Sequence, residues 1–204
     1  MAILDRKARD RKLRQSDILQ AAERLFAENG YHKTTIRDIA KQAQYATGTV
    51  YLYFKDKDEI YFSLFEEKMQ GLLNHIVAKV EAVVTSRDKI ASIVHASLEF
   101  LMDNRDFLRI FVLELGELSV EKKFLESAIE KQHDAYMLDL FRQAQDDGVL
   151  RKDFDPKQIK DIFVAIIKTM TIRSIMNEDI QTKENVSVSA NAVLELFFHG
   201  VSPR

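Results

Sequence analysis

The chain of 204 residues contains no cysteine and no tryptophan, only two prolines and six glycines, and no apolar run longer than IFVAII at 162–167. Without cysteine there is no disulfide framework, thiolate-held zinc, iron–sulfur cluster or thiol nucleophile, and a reducing compartment suits the composition. Scarce glycine and proline, with 46% hydrophobic and 30% charged residues, argue against a β-sandwich or a disordered chain and for a helical globular protein. IFVAII is far too short to span a bilayer, and the charged N-terminus lacks the apolar centre of a signal peptide. The expected setting is therefore cytoplasmic, with no membrane partner.

What is present is uneven in charge. Through Lys57 there are twelve Lys/Arg against seven Asp/Glu, and afterwards eighteen against twenty-five. A basic head on an acidic body suggests that one end meets a polyanion. The segment RKARDRKLR, residues 6–14, holds six of the basic residues. Two readings of it stay open: an arm that tracks phosphates or enters a minor groove, or a solvated extension of the first helix.

Helical periodicity runs almost throughout. In SDILQAAERLFAENG the apolar Ile18, Leu19, Ala22, Leu25 and Phe26 recur at three- and four-residue spacing before an Asn29-Gly30 stop. Thr35 with Asp38 predicts a capping box opening a short helix whose buried stripe is Ile36, Ile39, Ala40 and Ala43. A third short helix is expected from Thr47 to Phe54, with Asp56 capping a long fourth. That fourth helix is expected over Ile60–Val84, with further helices over Ser86–Asn104, Phe107–Leu115, Glu121–Asp146, Asp155–Asn177 and Ser187–His199. Asp155-Pro156 supplies an N-cap with proline at the first helical position. The fold class is all-α, with about nine helices: a three-helix head over 1–56 and a helical body over 57–204.

The head has the form of a helix-turn-helix, whose second short helix enters a DNA major groove. Val50 and Phe54, four apart, bury one side of that helix and leave Thr47, Gly48, Thr49, Tyr51 and Tyr53 outside. A glycine weakens a helix but lets it approach a groove, and tyrosine hydroxyls can donate to phosphate oxygens. Over Ile18–Leu64 the chain resembles the TetR family of bacterial transcription regulators, through GYHKTTIRDIA and TGTVYLYFKDKDEI. The later GVLRKDFDP is similar to the loop before that family's dimerisation helices.

The resemblance implies a homodimer that binds a palindromic double-stranded DNA operator, usually as a repressor, and answers to a small effector. It implies no enzymatic activity, no cofactor and no metal. Thr34 and Thr35 are expected near the DNA backbone. Thr47, Gly48 and Thr49 would face base edges or phosphate, and Tyr51, Tyr53 and Lys57 phosphate, with Arg37 as a further contact. Two departures from the family pattern stand out. Gln44 occupies a turn position that is usually glycine, where a left-handed residue would cost about 1 kcal/mol. Ala46 replaces the usual hydroxyl cap of the recognition helix.

In the body, Phe100, Phe107, Phe111, Leu115, Tyr136 and Met170 either line an apolar effector chamber or are simply core. An effector that carries phosphates would suit such a chamber with Arg105, Arg109 or Arg173 near its mouth. The stretch GTVYLYFKDKDEIYFSLFEEKM is similar to the branch of the family that includes fatty-acid-degradation regulators, which points to long-chain acyl-coenzyme A. Stripes carrying Ile159, Ile162, Phe163, Ile166, Ile167 and Met170, and Val193, Leu196, Phe197 and Gly200, either pair across a dimer two-fold or cover the chain's own core. Within them Ile162, Ile166, Val193, Leu196 and Phe197 are the dimerisation residues. Two other readings remain: a helical metalloenzyme, from the E-x-x-H of Glu130 and His133, and an adaptor whose head binds protein.

Overall fold

A computed structural model describes residues 2–114, 126–176 and 183–201, and there the chain is all-helical. Nine helices are described: α1 Ala2–Asn29, α2 Ile36–Gln42, α3 Thr47–Tyr51, α4 Lys57–Glu81, α5 Ser86–Asp103, α6 Arg105–Glu114, α7 Ala128–Asp146, α8 Pro156–Met176 and α9 Lys183–Val201. None of them is long and apolar enough to cross a membrane. The chain forms two compact units, one of Met1–Lys68 with Arg109–Glu121 and one of Met69–Leu108 with Lys122–Arg204. Leu115, expected in the effector chamber, lies outside the described residues, as does the side chain of Phe111.

In the first unit α1 packs on α2, and α2 on α3. The buried faces are those the periodicity marks: Ile18, Ala22 and Phe26 from α1, Ile39 and Ala40 from α2, then Val50 and Phe54. Burying each of these larger side chains stabilises the unit by about 1.5–3 kcal/mol. Phe26, Tyr31 and Tyr61 form a ring cluster with centroids 5.1–6.1 Å apart. Gly30 ends α1 at φ +81°, a conformation that costs glycine nothing. Asp56 caps α4, accepting from the Glu59 amide at 2.8 Å. Of the two readings of residues 6–14, the extension of the first helix is the one found: α1 begins at Ala2, because residues 2–17 contain no glycine or proline and many good helix formers.

In the second unit α5, α7, α8 and α9 pack on one another. The rings of Phe141, Phe163 and Phe197 meet at the centre, Phe163 and Phe197 with centroids 4.9 Å apart. α7 stops at Gly148, φ +73°. Pro156 opens α8, with Asp155 accepting from the Lys157 amide at 2.8 Å. Lys160 is buried, its ammonium held between the carboxylates of Asp134 and Asp161.

Candidate nucleic-acid interface

The turn from α1 into α2 is built before anything external is met. Thr34 is 2% exposed, and its hydroxyl donates to the carbonyls of Gly30 at 2.9 Å and Leu25 at 3.2 Å. These are end-of-helix acceptors of the kind that otherwise need water. Thr35 is the N-cap of α2, and its oxygen accepts from the Asp38 amide while Asp38 accepts from the Thr35 amide. That is the expected capping box. The hydroxyl and amide of Thr35 hold the Asp38 carboxyl below its usual range.

Two expected backbone contacts point elsewhere. Thr34 turns inward, so its side chain cannot reach a phosphate. The Lys57 ammonium donates to the carbonyls of Tyr31 at 2.7 Å, Thr34 at 3.0 Å and His32 at 3.4 Å, and sits 4.2 Å from the centre of the Tyr31 ring. An ammonium has three donors. All are spent closing the α1–α2 turn, so Lys57 is a structural clamp in this conformation.

Between α2 and α3 the chain passes through Gln44 at φ +60°, the one non-glycine residue in that region among those described. The substitution for glycine therefore keeps the left-handed turn and carries its strain. Ala46 caps α3 without a side-chain hydrogen bond. On α3 itself Val50 is fully buried, Thr47 and Thr49 are half-buried, and Gly48 and Tyr51 are exposed. Tyr53, just past the helix, is half-buried, and Arg37 is exposed on α2. A Cβ added to Gly48 would meet nothing within 4 Å, whereas one on Gly71 would touch the Phe100 ring at 3.4 Å. Nothing inside the molecule requires glycine at position 48, although it costs the helix about 0.5–1 kcal/mol relative to alanine.

Three residues not singled out from the sequence also belong to this surface. Arg11 lies 5.9 Å from the centre of the Tyr53 ring, and Arg14 lies 6.0 Å from that of Tyr45. Their signal was the basic run at 6–14. Tyr45 had none, because a tyrosine in a turn has no periodicity.

In the second unit the expected chamber residues are dispersed in character. Phe107 is buried, Phe100, Tyr136 and Met170 are half-buried, and Arg173 is exposed. Arg105 donates to the Ser174 carbonyl at 3.3 Å. Arg109 is exposed and belongs to the first unit. Glu130 is raised by burial and then by Asp134, and His133 is held low by burial. No group of three or more His, Asp or Glu able to hold a metal occurs among the described residues, so the E-x-x-H stands without further ligands.

The α8–α9 face is different. Phe154, Ile159, Ile162, Ile166, Val193 and Leu196 line a groove of about 840 Å³, with Phe197 in its wall. Ile162 is 60% and Leu196 77% exposed. Phe197 is only 6% exposed, because its ring packs on Phe163 and Phe141, so it belongs to the core as much as to the face.

Comparison with known proteins agrees with this layout. Residues 18–64 match the model described as "Bacterial regulatory proteins, tetR family", and residues 65–200 match "YsiA-like protein, C-terminal region". The "Fatty acid metabolism regulator protein" of Bacillus subtilis is 28% identical over 184 residues, 90% of this chain and 93% of that protein. The "HTH-type transcriptional repressor KstR2" of Mycobacterium tuberculosis is 29% identical over 159 residues, 74% of this chain and 76% of the relative. The crystal structure of the transcriptional regulator FadR from Bacillus subtilis in complex with stearoyl-CoA superposes with a TM-score of 0.79 at 29% identity, covering 91% of this chain and 98% of the other.

Proposed function

From the premise that the chain belongs to the TetR family of bacterial regulatory proteins, we propose a homodimeric repressor that binds a palindromic operator and is released by a long-chain acyl-coenzyme A. The observation that carries the DNA reading is the two-sided recognition helix. Val50 is fully buried on one side, and the other presents exposed Gly48 and Tyr51 with open space above the glycine. Thr47, Gly48 and Thr49 approach the base edges, while Thr35, Arg37, Tyr51 and Tyr53 hold the backbone. Lys57 and Thr34 support that surface from behind.

The same reading assigns residues 1–56 to DNA and 57–204 to effector and dimer. Two recognition helices in successive major grooves stand about 34–36 Å apart, which requires two copies of the chain. The apolar α8–α9 groove, with Ile162, Ile166, Val193, Leu196 and Phe197, is the surface on which the second copy packs. The effector class rests on the relative solved with stearoyl-CoA, and on apolar Phe100, Phe107, Tyr136 and Met170 in the second unit. Arg173, exposed on α8, is the residue assigned to the effector's phosphates.

The test has two parts. Selection from random duplex DNA should yield a palindrome, and Tyr51→Ala should weaken its binding about tenfold without lowering the melting temperature. Stearoyl-CoA should then release the duplex and raise the protein's melting temperature. Failure to select any sequence sinks the DNA reading. Unchanged DNA binding and melting with stearoyl-CoA sinks the effector reading alone.

A further inference from the structure

The buried stripe of α1 begins at Ile18, yet the helix begins at Ala2. Every residue whose exposure is described between Arg6 and Arg14 is exposed, and six residues of that stretch are basic. At 1.5 Å per residue these turns extend about 12 Å, an axial length over which duplex DNA carries about seven phosphate charges. The internal packing of the head gives no reason for this concentration of charge.

The helical form excludes one use of it. An α-helix with its side chains is about 10–12 Å across, and the minor groove is about 6 Å wide. This segment cannot enter a minor groove as an extended arm would, and with α3 taking the major groove it is left to lie along the backbone beside it.

Its position beside the recognition helix shows where. Arg11 stands over Tyr53, which follows α3, and Arg14 over Tyr45, which precedes it. The Tyr45 hydroxyl donates to Asp17 of α1 at 2.7 Å, which fixes the ring under Arg14. Arg11, Arg14, Tyr53 and the exposed Leu52 line a shallow cavity of about 270 Å³, and Asp10 is its one carboxylate. Two guanidiniums against one carboxylate leave the cavity cationic. Each guanidinium stands within cation–π reach of its ring and presents planar donors that match phosphate oxygens.

We propose that Arg11 and Arg14 form a second phosphate-binding line, which grips the DNA backbone beside the groove that α3 enters. This rests on the DNA-binding reading and adds to it a backbone contact supplied by the first helix, outside the helix-turn-helix. The contact is independent of base sequence, so it strengthens binding to any duplex long enough to run under α1.

The experiment compares wild-type protein with R11A/R14A and R11K/R14K on one selected operator duplex, measuring affinity from low to moderate salt. Across the two copies the alanine pair removes four guanidiniums and should flatten the slope of log K against log salt by about three to four units, and the lysine pair should keep it. Melting temperatures should match, because both arginines are exposed; if the alanine pair fails to fold, R11Q/R14Q takes its place. An unchanged slope in the neutral pair, while Tyr51→Ala still weakens binding, overturns the second line and leaves the recognition helix intact. An equally flattened slope in the lysine pair also overturns it, since the slope counts charges on phosphate and lysine keeps both. If wild-type protein binds no duplex, the DNA reading itself falls, and this proposal with it.

Discussion

The outward side of α3 and the outward face of α8–α9 are both exposed, and both carry side chains the fold does not need there. Tyr51 is 54% exposed on one, and Ile162 and Leu196 are 60% and 77% exposed on the other. Their chemistry separates them. The α3 surface offers phenols, threonine hydroxyls and guanidiniums around a glycine with open space above it. The α8–α9 groove offers mainly isoleucine, valine, leucine and phenylalanine, with Gln158 and Asp161 as its polar lining. A surface of the first kind suits a polyanion and weakens with salt. One of the second kind suits an apolar partner and does not. The polarity of each exposed surface separates the kinds of partner it suits.

The largest effect should come from breaking the apolar face. Ile162→Glu with Leu196→Glu would place carboxylates in the proposed dimer interface, at a cost of several kcal/mol per buried charge. Sedimentation should show a monomer, and operator affinity should drop about a hundredfold or more with the loss of two-site binding. A double variant that remains dimeric would mean that the groove has another occupant.

Lys57→Met sharpens the boundary between the polar surface and its support. With the ammonium clamped on three carbonyls, its removal should cost the fold about 1.5–3 kcal/mol, seen as a lower denaturation midpoint. The salt slope of DNA binding should not move. A slope reduced by about 1.8, one contact from each copy, with stability unchanged would return Lys57 to the phosphate-contacting set.

These two residues show where sequence ceases to be legible. The capping box at Thr35–Asp38 is a local pattern found as read, Gln44 keeps the left-handed turn, and Ala46 leaves α3 without a side-chain cap. The direction in which a turn residue points is not local. Thr34 and Lys57 face the carbonyls at the end of α1, and only the packed arrangement of α1, α2 and α4 shows that those carbonyls need donors. The start of α1 was obscure for the opposite reason: charge on every side gives no period, and propensity alone extends that helix to Ala2. In the body, a core phenylalanine and a chamber phenylalanine have the same spacing, so Phe100 and Phe107 read alike and differ in burial.

Gln44 and Gly48 allow a smaller and more exact comparison. Each is the less stable choice for its own backbone: a side chain where φ is +60°, and none where a helix has open room. Gln44→Gly should raise stability by about 1 kcal/mol, and Gly48→Ala by about 0.5–1 kcal/mol. Gly48→Ala should also weaken operator binding, because the added methyl occupies the space facing the groove. If Gly48→Ala stabilises the head and leaves binding unchanged, α3 does not approach DNA closely at that position.

The comparison continues in the interior, where the body holds titratable groups that burial has shifted. Glu130 is raised, by burial first and then by Asp134, with Lys168 and Lys160 opposing. Its contribution to stability is therefore full below the ordinary carboxylate range and is lost as pH rises through the raised value. His133 is lowered by burial, so its contribution is present above the ordinary imidazole range and lost as pH falls through and below it. The two act in opposite directions, and Glu130→Gln separates them. That variant should melt higher than wild type at neutral pH, with the gain shrinking toward zero as the pH enters the carboxylate range. The remaining acid sensitivity is then that of His133 and the surface carboxylates. If Glu130→Gln instead melts lower at neutral pH, attraction to Lys168 and Lys160 outweighs burial, and Glu130 is a charged partner inside the body.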